Sequence, residues 1–411
     1  YDYAVCMKNI ATYYTNIGEY DLAEQYSANS LEVFAKLGEA YKLNYAIALD
    51  ERSLLFANRG LFDDAIKLGE KAVSIFSENA LHVYDLSISQ YNLGNFYLMK
   101  SDYANAIFYE KESWKHLRDI YGKSHPVVIE RINDLMEKAY SGVILSSEEE
   151  NHKGVLDCAQ WYVSMSNIKD PKYSKMTHYM SKSYENLGDF ENAIDLEKKL
   201  LNELDSLGIS NFSTIQSLQR IAYLSQFVYG FKGRGEVVDE CNKRVKFLLA
   251  TNVKDSLTND QLYDVYIQLG VSYENVWRTK DALDYFTTVK SLIEKNNDTH
   301  SAIYANLLSN MGILYKNSGD FINAIRFLED AINLKKGLYG DSSVECYRTY
   351  YNLALCLESF SRIDDAIKVF ENIEQLYIKK NLVSKEETAA FYIDYGALYG
   401  QNHQYSKRVE Y

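Results

Sequence analysis

The sequence predicts an all-α, right-handed α-solenoid of about ten helix-turn-helix repeats, and three observations carry that expectation. A short phrase recurs along the 411 residues at a period near 42. A small residue and an aromatic three positions apart precede most copies. The slots of the phrase, numbered by its glycine position, fall at 18, 60, 101, 142, 188, 233, 277, 319, 361 and 403 and so account for the whole length. Self-similarity at a fixed period is the mark of an array whose units bury their apolar faces on one another.

The phrase reads Gly18-Glu19-Tyr20-Asp21-Leu22-Ala23, then Gly60-Leu61-Phe62-Asp63-Asp64-Ala65, then Ser101-Asp102-Tyr103-Ala104-Asn105-Ala106. It returns at Gly188-Asp189-Phe190-Glu191-Asn192-Ala193 and Gly319-Asp320-Phe321-Ile322-Asn323-Ala324, with weaker forms ending in Ala282 and Ala366. Before it stand the pairs Ala11/Tyr14, Ser53/Phe56, Gly94/Tyr97, Ser181/Tyr184, Gly270/Tyr273, Gly312/Tyr315 and Gly396/Tyr399. A spacing of three puts both members on one helical face, where the small one admits a neighbouring helix and the aromatic fills the space beyond. After it, Ala23-x-x-Tyr26, Ala65-Ile66-x-Leu68 and Ala324-Ile325-x-Phe327-Leu328 open a second amphipathic helix. Glycine suits the slot because helices commonly end on a left-handed residue. Asp102, Asp189 and Asp320 stand where an N-cap satisfies the next helix's free amides. Asn16, Asn58, Asn186, Asn275 and Asn317, two before the slot, read as structural residues bonding their own backbone.

Leu93-Gly94-x-x-Tyr97 and Leu269-Gly270-x-x-Tyr273, the latter followed by Ala282 and Phe286, make the chain resemble the tetratricopeptide repeat family. The period exceeds the family's usual length of about 34, and the consensus's terminal proline is missing. The longer unit is similar to the extended repeats of the kinesin light chain type, which carry inter-repeat phrases like Tyr121-Gly122-Lys123-Ser124-His125-Pro126, with a degraded copy at Tyr339-Gly340-Asp341-Ser342-Ser343-Val344. The resemblance covers nearly the whole chain. It implies a superhelix whose first helices line a concave groove. By analogy alone, such arrays precede an effector, a CHAT peptidase or a helix-turn-helix transcription regulator, as its sensor or docking arm.

Along the chain, regular repeats are expected over 1–140 and 259–411, with three irregular ones over 141–258. Slot 142 has no alanine, and slot 233 lies in Gly230-Phe231-Lys232-Gly233-Arg234-Gly235, read as a turn that could be registered three residues earlier. Asn167-Ile168-Lys169-Asp170-Pro171 breaks a helix. Tyr1 opens inside a helix and Gln404 to Tyr411 stops inside another, so a piece of a longer protein is expected.

Hydrophobic residues at 47% and charged residues at 25% describe a folded, water-soluble chain. A net charge of −13 argues against nucleic acid, helical-repeat RNA binding included, and against anionic membranes. No apolar run is long enough to span a bilayer. Cys6, Cys158, Cys241, Cys346 and Cys356 form no ligand cluster, which fits a reducing, cytoplasmic setting. No metal or other cofactor is indicated, since seven histidines show no H-x-x-x-H spacing. Cys158 with His152 is the one close Cys/His combination in the irregular middle, the basis of an alternative reading as a hydrolase; six residues apart on a helix, they do not face each other.

The stronger candidate is a ladder two residues before each small residue: Asn9, Asn92, Asn310 and Asn352, with Gln268 and Asp394 in the same slot. The resemblance places this position on the groove, and a side-chain amide there offers an extended peptide both donor and acceptor. Lys8, Tyr91, Tyr351 and Arg348 stand around it as sources of charge and stacking. The repeated Lys/Arg of the carboxylate-clamp subtype is absent. The sequence therefore reads as a non-enzymatic scaffold binding a protein or peptide partner.

Overall fold

A computed structural model describes residues 1–78, 80–145, 149–251, 253–380, 382–383 and 385–401, and these residues are helical apart from short connections. First helices are α1 (Asp2–Asn16), α3 (Lys42–Asn58), α5 (Val83–Met99), α7 (Pro126–Leu145), α9 (Pro171–Asn186), α11 (Phe212–Val228), α13 (Asn259–Glu274), α15 (Ala302–Asn317), α17 (Tyr347–Ser359) and α19 (Lys385–Gln401). Between them run the second helices α2 (Tyr20–Leu37), α4 (Phe62–Ser77), α6 (Tyr103–Tyr121), α8 (Glu149–Met165), α10 (Phe190–Ser206), α12 (Phe231–Leu249), α14 (Thr279–Lys295), α16 (Phe321–Tyr339) and α18 (Ile363–Ile373). The chain forms two compact units, Tyr1–Leu196 and Glu197–Tyr411.

The slot is a left-handed turn. Gly18, Gly60, Ser101, Gly188, Trp277, Gly319 and Ser361 all have φ between 60° and 82°. In each, the amide of the next residue reaches back to a carbonyl five residues earlier: Glu19 to Tyr14 at 3.0 Å, Leu61 to Phe56 at 2.9 Å, Asp102 to Tyr97 at 3.0 Å, Asp320 to Tyr315 at 2.9 Å. This is the helix-ending motif that caps orphan carbonyls, and the accepting residue is the aromatic of the small/aromatic pair in every turn but that of Ser361, where it is Leu357. Asp102, Asp189 and Asp320 then cap the second helix, each accepting from the backbone amide three residues on.

Close approach of the two helices follows. The alanines Ala23, Ala65, Ala106, Ala193, Ala282, Ala324 and Ala366 are fully buried. The small residues face this first turn: Ser181 Oγ donates to Ala193 O at 3.1 Å, and a Cβ on Gly94 would stand 3.1 Å from Ala106 O. Beyond the contact, the first-helix aromatic stacks on one from the second helix. Tyr14 on Tyr26, Tyr97 on Tyr109, Tyr273 on Tyr285 and Tyr315 on Phe327 have ring centroids 5.4–5.8 Å apart and interplanar angles of 3–14°. Hydroxyls at the rim of these stacks bond outward, Tyr97 Oη to Glu70 at 2.7 Å and Lys246 Nζ to Tyr273 Oη at 2.8 Å. These stacks employ seven of the chain's 37 tyrosines, a side chain that fills space with its ring and keeps a polar end at the rim.

Two slots need correction. Residue 142 lies inside α7, which continues to Leu145, and Gly233 lies in the first turn of α12, with Gly230 as N-cap. Neither Gly142 nor Gly233 is in the left-handed region; glycine there is only a tolerated helical residue, so the register belongs at 230. Helix pairs persist through 141–258, and Asp170 caps the helix that Pro171 opens. Slot 403 and the segment 404–411 lie outside the described residues.

Added to Gly270, a Cβ would fall 2.4 Å from Cε1 of the buried Phe286, whereas at Gly235 it meets nothing within 4 Å. Gly270→Ala is expected to destabilise by about 1–3 kcal/mol through overpacking. Gly235→Ala is expected to stabilise by up to about 1 kcal/mol through helix propensity. Urea unfolding followed by circular dichroism reads both signs.

Candidate binding surface

Each turn fixes its first helix in the same attitude, so residues one period apart meet on adjacent first helices. In the first unit those meetings are occupied. Lys8 Nζ pairs with Glu51 Oε1 at 2.6 Å, and Thr12 Oγ1 donates to the other oxygen. Asn92 Nδ2 donates to Asp50 Oδ2 at 3.2 Å. Burial pushes the Asp50 carboxyl up to about 6, against the pull of hydrogen bonds from Ser89 and Asn92. The Arg131 guanidinium lies 3.2 Å from the centre of the Tyr91 ring, so one face of Tyr91 is already covered. Lys138, also near that ring, forms a buried ion pair with Glu110 at 2.9 Å. Asn9 is exposed and makes no side-chain hydrogen bond among the described residues. At the far end of the ladder, in the second unit, Tyr351 Oη donates to Asp394 Oδ2.

Elsewhere in the second unit the ladder is arranged differently. Gln268 of α13, Asn310 of α15, and Asn352 and Arg348 of α17 line one cavity of about 390 Å³, with Asp264, Asn306, Ser309, Lys335, Thr349 and three isoleucines. Its amides do not bridge the helices. Gln268 Nε2 contacts Asp264 Oδ1 at 3.4 Å and Asn352 Nδ2 donates to Arg348 O at 2.9 Å, each within its own helix. Asn310 makes no side-chain hydrogen bond among the described residues. Arg348, with its side chain 84% exposed, pairs with Glu387 at 3.2 Å. Four of the ten sequence-predicted residues therefore share one cavity; Lys8, Asn92, Tyr351 and Asp394 bridge adjacent first helices, and Tyr91 packs under Arg131.

Sequence reasoning missed Asp50, Glu51, Asp264, Ser309, Lys335 and Thr349. It also assigned Asn317 to its own backbone, whereas Asn317 Nδ2 donates to Glu274 Oε1 of the preceding first helix at 3.0 Å. Period-based alignment could have found that pair, because the two residues lie 43 apart.

Cys158 is fully buried, and desolvation pushes its thiol up to about 12, away from the thiolate a nucleophile needs. It packs in a core with Trp114, Val155 and Tyr162. Cys346 and Cys356 are likewise buried thiols. Among the described residues no group of three His, Cys, Asp or Glu is placed to hold a metal ion, and no helix is long and apolar enough to cross a membrane.

Residues 3–78 and 305–345 each match a tetratricopeptide repeat profile. Tetratricopeptide repeats are present in these two stretches. No curated protein matches it. Among solved structures, BtubC (BKLC) from P. vanneervenii aligns at 18% identity over 54% of this chain and 87% of its own, with a TM-score of 0.45. A putative kinesin light chain with nearly identical TPR-like repeats, from Podospora anserina, aligns at 13% over 50% and 95%, with a TM-score of 0.39. A Rap protein complexed with competence and sporulation factor aligns at 13% over 98% of both chains, with a TM-score of 0.38.

Removing the Asn92 amide takes from Asp50 a hydrogen bond to its buried carboxylate. Asn92→Ala is expected to cost about 1–3 kcal/mol, while Asn310→Ala stays within about 0.5 kcal/mol of the parent, both by urea unfolding. The raised Asp50 pKa means the native state holds more protons than the unfolded one between pH 3.8 and about 6. Stability contributed by this group therefore falls as pH rises through that window. Asp50→Asn is expected to flatten the slope of thermal midpoint against pH there.

Proposed function

We propose that this protein is a non-enzymatic interaction scaffold whose tetratricopeptide repeats hold an extended peptide segment of a protein partner across the first helices of the second unit. One observation carries the reading. Three amides from successive first helices, Gln268, Asn310 and Asn352, converge on a single cavity with their hydrogen-bonding capacity only partly used within the protein. An amide presents a donor and an acceptor together, which matches the alternating groups of an extended backbone. A volume of about 390 Å³ is within the range of ligand clefts. Isoleucines 267, 303 and 313 supply apolar wall between the polar groups. The net charge of −13 disfavours nucleic acid as the occupant, and the buried thiol of Cys158 disfavours the hydrolase alternative. A cytoplasmic setting fits the free thiols of Cys158, Cys241, Cys346 and Cys356, while service as the arm of a larger effector rests on the family likeness alone.

Affinity capture from native lysate tests the reading, comparing the parent with Asn310→Ala/Asn352→Ala and with Asn9→Ala, after matching helicity and melting. The double variant is expected to lose a partner that the parent and Asn9→Ala both retain. An unchanged partner set in the double variant refutes binding through these amides.

A further inference from the structure

We propose that Lys335 is the seat for a carboxylate of the bound peptide. The inference rests on the peptide reading above and adds the chemistry of what is recognised. It begins with the repeat itself. Sixteen residues after the left-handed turn residue, the second helix, or for Tyr377 the π-helical segment Glu374–Ile378 that continues it, carries Phe34, Phe76, Leu117, Leu204, Ile293 and Tyr377 in six repeats, every one buried in the core. In the seventh, counted from Gly319, the same position is Lys335. Its apolar counterparts show what packing alone prefers there.

Lys335 is 7% exposed. Its ammonium has three donors and makes one hydrogen bond, to Thr349 Oγ1 at 3.1 Å, with no ion pair among the described residues. Thr349 is in turn linked to Ser309 Oγ at 3.2 Å. Buried lysines without a partner are rare because the charge loses its water; burial accordingly pushes the pKa of Lys335 down, while Glu345 and Cys346 oppose that and Arg348 adds to it. The ammonium lines the same cavity as the three amides. A ligand anion entering there gains an ammonium already stripped of solvent, so the desolvation cost is met before binding.

The charge around the cavity selects among anions. Asp264 also lines it, and Arg348 is engaged by Glu387. Asp264 in the cavity and Glu345 acting on Lys335 already supply two carboxylates, so a single ammonium can balance a monoanion at most, and a phosphate of nearly two charges is repelled more strongly. A peptide offers a monoanion from two sources, an Asp or Glu side chain and its C-terminus.

The test follows the Lys335 side-chain resonance in protein carrying labelled lysine, identified by its loss in Lys335→Met, a variant that restores an apolar residue to a core position. N-acetyl-aspartate N-methylamide and N-acetylglycine stand for the side-chain and terminal carboxylates, N-acetyl-asparagine N-methylamide is the neutral control, and inorganic phosphate is the competing anion. A saturable shift with a carboxylate and none with the neutral amide is the expected result, and the stronger of the two carboxylates identifies the source. Lys335→Met is expected to melt higher than the parent and to bind that carboxylate about tenfold to a hundredfold more weakly, as for loss of a charged hydrogen bond. No saturable shift with either carboxylate, or a response to phosphate as strong, overturns the proposal. If the carboxylate shift occurs while Asn310→Ala/Asn352→Ala keeps its partner, the seat stands and the amide reading falls. If the amide variant loses its partner and Lys335 does not respond, the reverse holds.

Discussion

Everything in this chain depends on how closely a first helix can approach the opening turn of its second helix. A buried alanine on one side and a glycine, alanine or serine on the other bring the two backbones together, and a stacked aromatic pair fills the wedge that opens beyond. The left-handed turn supplies the geometry, since its returning amide bonds to the carbonyl of the same aromatic residue that makes the stack. Turn, contact and stack thus share residues, and a change in one is felt in the others.

That rigidity explains why a position repeated every 42 residues becomes a row in space. Such a row is put to two uses, the first in both units and the second in Glu197–Tyr411. Where polar residues from adjacent first helices meet, as at Lys8 and Glu51 or Asn92 and Asp50, they fasten one repeat to the next. Where they turn instead to their own helices, as at Gln268 and Asn352, the row opens onto a cavity. A polar group that does not fasten the scaffold remains available to a ligand, and Lys335 is the extreme case because it occupies a place that six other repeats fill with apolar side chains.

Much of this was legible in the sequence. The phrase around Gly18, Gly60 and Gly319 fixes helix ends because few residues other than glycine adopt a left-handed turn without cost. The same rule misplaced the slots at 142 and 233, where glycine sits within a helix, and it could not anticipate that Ser101, Trp277 and Ser361 take the left-handed conformation with side chains. Ladder positions were legible as a row, but their partners were not. Asp50 and Glu274 lie on the preceding first helix and Glu51 on the following one, and only the helix-to-helix offset decides which of them a given side chain reaches. Lys335 was visible in principle, as a charge on the apolar stripe of α16, once the repeats are aligned by turn rather than by glycine.

The most direct measurement is photocrosslinking in the native cellular extract, with a photoreactive phenylalanine analogue placed at Asn306, an exposed residue of the cavity, or at Ile322, exposed on the second helix of the same repeat. The account expects a partner peptide attached at 306 and none at 322. Attachment at 322 alone would place the binding surface on the second helices and contradict it.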